Sequence, residues 1–238
     1  MSWTDGPLMA IDTETTGKDP RTARIVTVAL VTIKPGDRVC PAEWLVSVDE
    51  SIPAEATAIH GITTKHAREN GHPLADVLRV LMVELLSAWR PECPLVIFNA
   101  PYDLTVLACE LARVGLPPFT VSADERSVID PLCIDRDVDR YRKGSRRLED
   151  ACRHYRVAHD GAHNATNDAI AAARLAWRLG TVYADVGEMD LSSLHKKQEM
   201  WYADWAENYQ DYLRRNGDPT AVIDRQWPIR MAGEGEES

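Results

Sequence analysis

Long hydrophobic runs are missing from this sequence. No apolar stretch approaches the length of a membrane span, and no positively charged start leads into an apolar h-region. A spanning helix and a secretory signal are therefore not expected, and the expected location is cytoplasmic. Cysteine is scarce: Cys40, Cys93, Cys109, Cys133 and Cys152 are odd in number, scattered, and form no CxxC pair. That pattern suggests neither a disulfide framework nor a zinc site, and fits reduced, separately packed thiols. Positive charge is also short, with 27 Lys and Arg against 37 Asp and Glu and a formal net charge of -10. Such a balance argues against a protein that coats nucleic acid by electrostatics alone, without excluding one that grips only a strand end.

What remains is ordinary globular composition. The chain has 238 residues, 45% hydrophobic and 27% charged, enough for a sizeable core in one domain with at most an appendage. Residues 7–11, 24–33 ("RIVTVALVTI") and 43–48 read as strands, and the turn residues of "KPGDR" make an antiparallel meander the economical arrangement. Residues 52–74 read as short helices and loop. Beyond them Val77, Leu78, Leu81, Met82, Leu85 and Leu86 recur at helical spacing. A buried strand at 94–99, a helix over 101–115 ended by Gly115, a strand within 126–131 and helices near 147–155 and 165–179 complete an α/β pattern with a mixed sheet. Leu194, Trp201, Trp205, Tyr209 and Tyr212 mark one stripe of a helix near 192–215, read as facing the core, with a docked partner as the other reading. Residues 217–238 read as a loosely attached tail that Ile223, Trp227 and Ile229 anchor in part.

The chemistry-bearing residues come from three places. In "AIDTETTG", Asp12 and Glu14 stand two apart at the end of an apolar run, so a strand would turn both carboxylates to one face, where they repel unless something positive lies between them. In "FNAPYD", Asp103 follows a buried strand near a helix start. In "HNATND", His163 and Asp168 are five apart; a helix covering both would set them about 140° from each other. Oxygen-only ligands select Mg²⁺ or Mn²⁺ over zinc. Two such ions about 3.5–4 Å apart hold an attacking water and a departing oxygen in line across phosphorus. A histidine, with an ordinary pKa of about 6.5, suits the task of taking the water's proton. Residues 140–156, "RYRKGSRRLEDACRHYR", reverse the overall charge locally, and Arg146 and Arg147 within them face either a phosphate backbone or plain solvent.

The ordered set "DTETTG", "FNAPYD" and "HNATND" resembles the three motifs of the DnaQ-like, or DEDDh, 3′–5′ exonucleases, a family that includes the proofreading epsilon subunit of bacterial DNA polymerase III. "PAEATAIHGIT" resembles a further segment of that family, and the similarity runs over roughly residues 7–180. The resemblance implies a ribonuclease H-like fold, with a mixed, mostly five-stranded sheet flanked by helices, and two Mg²⁺ or Mn²⁺ ions. It implies that Asp12 bridges both ions, Glu14 and Asp168 hold the nucleophile-side ion, Asp103 holds the second, and His163 is the general base. It further implies that Thr13, Thr15, Thr16 and Gly17, with the loop of His60, Gly61 and Ile62, position the terminal nucleotide, and that Asn99 supports them. Phe98 stands where such motifs often have histidine, and Tyr155 is not the expected base. Residues 1–182 are then the expected exonuclease domain, 183–216 a helical extension packed on that domain or on a partner, and 217–238 the tail. The leading expectation is a nuclease releasing nucleoside 5′-monophosphates from single-stranded DNA, as proofreader or repair enzyme. An exoribonuclease of the same fold and a non-catalytic adaptor using its C-terminal aromatic helix to reach a polymerase or other protein are the alternatives.

Overall fold

β-Branched residues dominate "IVTVALVTI", and this run forms the strand β2, Ile25–Ile33. The computed structural model describes residues 2–230 apart from 35, 37, 38 and 162. β2 lies between β1, Leu8–Thr15, and β3, Cys40–Ser47, antiparallel to both, which is the expected meander. β1 does not stop at Ile11; its ladder with β2 continues through Asp12, opposite Ala29, and Glu14, opposite Thr27. Helices α1, Ala54–His60, and α2, Thr64–Asn70, lead to β4, a two-residue strand at His72–Pro73 parallel to β3. Next come α3, Leu74–Ala88, β5, Leu95–Val96, α4, Ala100–Arg113, and β6, Val128–Ile129. Then follow α5, Pro131–Val138, α6, Leu148–Tyr155, α7, Ala165–Val182, α8, Ala184–Gly187, and α9, Leu191–Arg215. The sheet order is β4-β3-β2-β1-β5-β6, five strands as expected plus the short edge β4.

The sheet's central strands are buried on both sides, and strand alternation sorts their residues into two cores. Met9, Ile11, Leu95 and Val128 pack with α3 and α4 on one face. Leu8, Ala10, Val96 and Ile129 pack with α6 and α7 on the other. On α7 the buried positions are largely alanine, including Ala169, Ala172, Ala173 and Ala176, so its backbone approaches β1 and β2 closely. Gly115, with φ of 68°, follows α4 as expected, since glycine takes the left-handed conformation without steric cost.

Two sequence expectations need correction. The helix α5 was not expected, although Asp130 caps it through the N–H groups of Leu132 and Cys133 and Pro131 opens it. The buried face of α9 is Leu194, His195, Gln198, Tyr202, Ala206 and Gln210, whereas Trp201 and Trp205 are only partly buried and Tyr209 and Tyr212 are exposed. Two polar members of that face, His195 and Gln198, cover the open edge of the sheet. His195 Nδ1 accepts the Val128 N–H at 3.0 Å, while Gln198 accepts from the Asp130 N–H at 2.7 Å and donates to the Val128 carbonyl at 2.9 Å. Beyond α9 the chain to Arg230 packs Ile223, Trp227 and Ile229 on the larger core, and the Arg230 N–H donates to Thr105 Oγ1 at 2.9 Å. The remainder of the expected tail, 231–238, lies outside the described residues.

Candidate metal centre

Strand alternation places Asp12 and Glu14 on the Leu8 and Ala10 face of β1, the face that α7 covers. Asp168 occupies the first turn of α7. One oxygen from each of Asp12, Glu14 and Asp168 lies within 4.8 Å of the others. Among the described residues no lysine or arginine forms an ion pair with any of the three; the Asp168 contact is His159, Nε2 to Oδ1 at 2.6 Å. Burial first, and then the charges of Asp103, Asp168 and Glu14, hold Asp12 well above the usual carboxylate range. Burial, then Asp168, Asp103 and Glu43, pushes Glu14 up to about 7. Converging carboxylates that raise one another's pKa and offer oxygen donors only fit a divalent metal ion.

Asp103 reaches the same cleft from the other face of β1. It sits in the first turn of α4, and its Oδ1 accepts from the Thr13 N–H at 3.1 Å and from Thr13 Oγ1 at 2.6 Å. Thr13 alternates with Asp12 and Glu14, so Asp103 is beside the three-acid cluster and not a member of it. Burial raises Asp103 to about 7 despite the bonds from Thr13. The turn before α4 is set by a residue that sequence reasoning passed over: the buried Asp130 carboxylate accepts the N–H groups of Asn99 and Ala100 at 2.9 and 3.0 Å. Asn99 has a left-handed backbone there, with φ of 66°.

His163 lies ahead of α7, whose cap is Asn164, so the helix carries Asp168 but not the histidine. Its side chain is exposed and lines the cleft, and its backbone N–H donates to Asp168 Oδ2 at 3.2 Å. His159, missed from sequence, is the histidine that grips the Asp168 side chain. Tyr102, also missed, lines the cleft and ties down its rim, donating its hydroxyl hydrogen to the Gly17 carbonyl and contacting Thr15 Oγ1.

The cleft, about 540 Å³, is lined by the four acids, Thr13, Asn99 and His163, together with Arg136, Arg146 and Arg147. Thr15, Thr16, Gly17, His60, Gly61 and Ile62 flank it without lining it. Thr16 Oγ1 accepts the Arg24 N–H, and His60 Nδ1 accepts the Ile62 N–H. Gly61 ends α1 with φ of 77°, while Ile62 packs on the small core around Val26 and Val48. Burial lowers the His60 pKa, against the pull of the Thr15 backbone. Arg146 is committed within the protein, its Nη1 2.7 Å from the buried Asp135 carboxylate and its Nη2 donating to the Asp139 carbonyl. The Arg147 guanidinium forms no ion pair among the described residues, which separates two arginines that the sequence treated alike.

A mixed sheet with acids at the carboxyl end of its central strand, completed by acids from α4 and α7, defines a ribonuclease H-like nuclease fold. The chain belongs to the DnaQ-like exonuclease family: residues 9–176 match the family model RNase_T, described as Exonuclease. It is 27% identical over 171 residues to DNA polymerase III subunit epsilon of Rickettsia conorii, covering 69% of this chain and 70% of that protein. It is 26% identical over 209 residues to the PolC-type DNA polymerase III of Listeria monocytogenes, covering 88% of this chain and 13% of the relative. A solved structure of E. coli exonuclease I with single-stranded DNA shares the fold, with a TM-score of 0.64 and 22% identity over 76% of this chain. This chain spans about two fifths of that exonuclease I chain, 41%.

Proposed function

We propose that this protein is a metal-dependent 3′–5′ exonuclease that removes nucleoside 5′-monophosphates from single-stranded DNA. The observation that carries the reading is the convergence of Asp12, Glu14 and Asp168 within 4.8 Å, with no lysine or arginine ion pair to them among the described residues, in a chain of this family. Asp12, Glu14 and Asp168 would hold one Mg²⁺ or Mn²⁺ ion, and Asp12 with Asp103 a second. When bound, the two ions supply Lewis-acid stabilisation of the charge that builds on the scissile phosphate. The chain's own groups do the rest. The exposed His163 imidazole accepts the proton of the attacking water. Thr13 fixes one oxygen of Asp103, and Asp130 holds the Asn99 turn against the 3′ nucleotide. Thr15 to Gly17 and the His60 to Ile62 loop shape the rim, and Arg147 meets an upstream phosphate.

The likeness to polymerase III subunits supports a proofreading or repair role, and the scattered cysteines support a cytoplasmic one. Among the described residues no helix is long and apolar enough to cross a membrane. Residues 1–182 form the catalytic unit in this reading, with 183–216 an extension that closes the β6 edge. The test is incubation of 5′-labelled single-stranded DNA and RNA of matched sequence with Mg²⁺, Mn²⁺ or EDTA. A metal-dependent ladder shortening from the 3′ end, faster on DNA, is expected. No cleavage with either metal would refute the reading.

A further inference from the structure

Along the outer side of α9 a partly buried tryptophan and two exposed tyrosines form a ladder. Trp205 and Tyr209 are stacked, centroids 5.4 Å apart and planes 14° apart, and Tyr209 and Tyr212 continue the series at 6.4 Å and 11°. Tyr209 is 40% exposed and Tyr212 55%. Trp205 packs in part on the larger core, whereas Tyr209 and Tyr212 leave large flat rings open to solvent. The ladder also has a defined starting point. Arg136 sets its guanidinium 3.5 Å over the Trp205 ring, and Arg136 and Arg146 line both the acid cleft and an adjoining cavity of about 280 Å³ walled by Trp205 and Tyr209. The first ring therefore lies beside the cleft, with Arg136 and Arg146 as the wall the two cavities share.

We infer that this face of α9 is the bed for single-stranded nucleic acid upstream of the 3′ end, its bases stacking on the exposed rings of Tyr209 and Tyr212. The inference rests on the exonuclease reading for the polarity of the strand. Ring faces tolerate any base, as an exonuclease without sequence preference requires. Arg136 and Arg140 supply positive charge at the foot of the ladder, while Asp137 and Asp204 on the same cavity wall offset part of it. Stacking thus supplies more of the grip than phosphate pairing, in keeping with a chain of net charge -10. A protein partner would leave the placing of these rings beside the cleft without a role.

The test compares binding of 5′-fluorescein dT3 and dT12 in EDTA by anisotropy, for wild type, Tyr209→Ala/Tyr212→Ala and Tyr209→Phe/Tyr212→Phe. Wild type is expected to bind dT12 more tightly than dT3 by about tenfold or more. The alanine pair is expected to lose most of that length advantage, and the phenylalanine pair to keep it. Equal affinity of wild type for the two lengths, or an undiminished advantage in the alanine pair with its circular dichroism intact, would overturn the inference. The exonuclease reading is judged separately, by metal-dependent shortening of dT12 by wild type. Its failure would leave the binding comparison to decide the α9 surface.

Discussion

Two sets of acids in this protein, one fully buried and one half-buried at the cleft, are treated in opposite ways. Glu110, fully buried, receives Arg24 at 2.8 Å and Arg113 at 2.7 Å. Asp135, also fully buried, receives Arg142 at 2.6 Å, Arg146 at 2.7 Å and the Tyr155 hydroxyl at 2.8 Å. Each of these carboxylates brings its own cations, because an unpaired charge in a protein interior is costly. Among the described residues Asp12, Glu14 and Asp168 receive no arginine or lysine ion pair, and Asp12 and Glu14 are pushed well above the carboxylate range. The difference teaches that the first set holds the fold together, while the second is left incomplete for a cation from solution.

The sharpest way to break this comparison is to neutralise one member of each set. Asp12→Asn is expected to lower kcat by about 10³-fold. In EDTA at pH 8 the same variant is expected to be at least as stable as wild type by thermal melting, since a repelling charge has gone. Asp135→Asn is expected to do the reverse, costing about 3–5 kcal/mol in urea denaturation by stranding two arginines. If both variants lose stability alike, the two sets do not differ.

The pH dependence sharpens the contrast. Folded Glu14 and Asp103 keep their protons up to about 7, whereas their ordinary values are 4.5 and 3.8. The unfolded chain therefore releases protons first, and metal-free protein is expected to lose stability as pH rises from about 4 through 7. Saturating Mg²⁺ or Mn²⁺ is expected to flatten that decline, because the ion takes the place of the protons. Melting curves at pH 5, 6, 7 and 8 with and without metal read the effect directly. The smallest expected effect divides neighbouring arginines. Arg147→Ala is expected to raise KM and reduce the slope of log KM against log salt by about one, with unchanged stability. Arg146→Ala is expected instead to destabilise the protein by removing a partner of Asp135.

The early strands and the acidic pair were legible because β-branched runs and i, i+2 spacing are local signals. β2 forms where "RIVTVALVTI" placed it, β1 and β3 overlap their expected spans but run longer, and Asp12 and Glu14 do share a face. The separation of Asp103 was not legible, because it depends on which face of β1 the helix α4 covers. The helix α5 was short and charged enough to escape periodicity, although Asp130-Pro131 carried a start signal. On α9 the aromatic stripe misled because hydropathy does not register that His195 and Gln198 are buried by bonding the open edge of β6. His159 and Arg146 likewise owe their parts to partners distant in the fold or to side-chain geometry that spacing does not encode.

The most direct test of the central claim is a Mn²⁺ titration of wild type and Asp12→Asn at pH 8, followed by the thermal midpoint. The midpoint of wild type is expected to climb with Mn²⁺ concentration, as binding to the folded state requires, while that of Asp12→Asn stays nearly flat. Equal climbs in the two proteins, or none in wild type, would contradict the claim that the unpaired acids at the end of β1 form a metal centre.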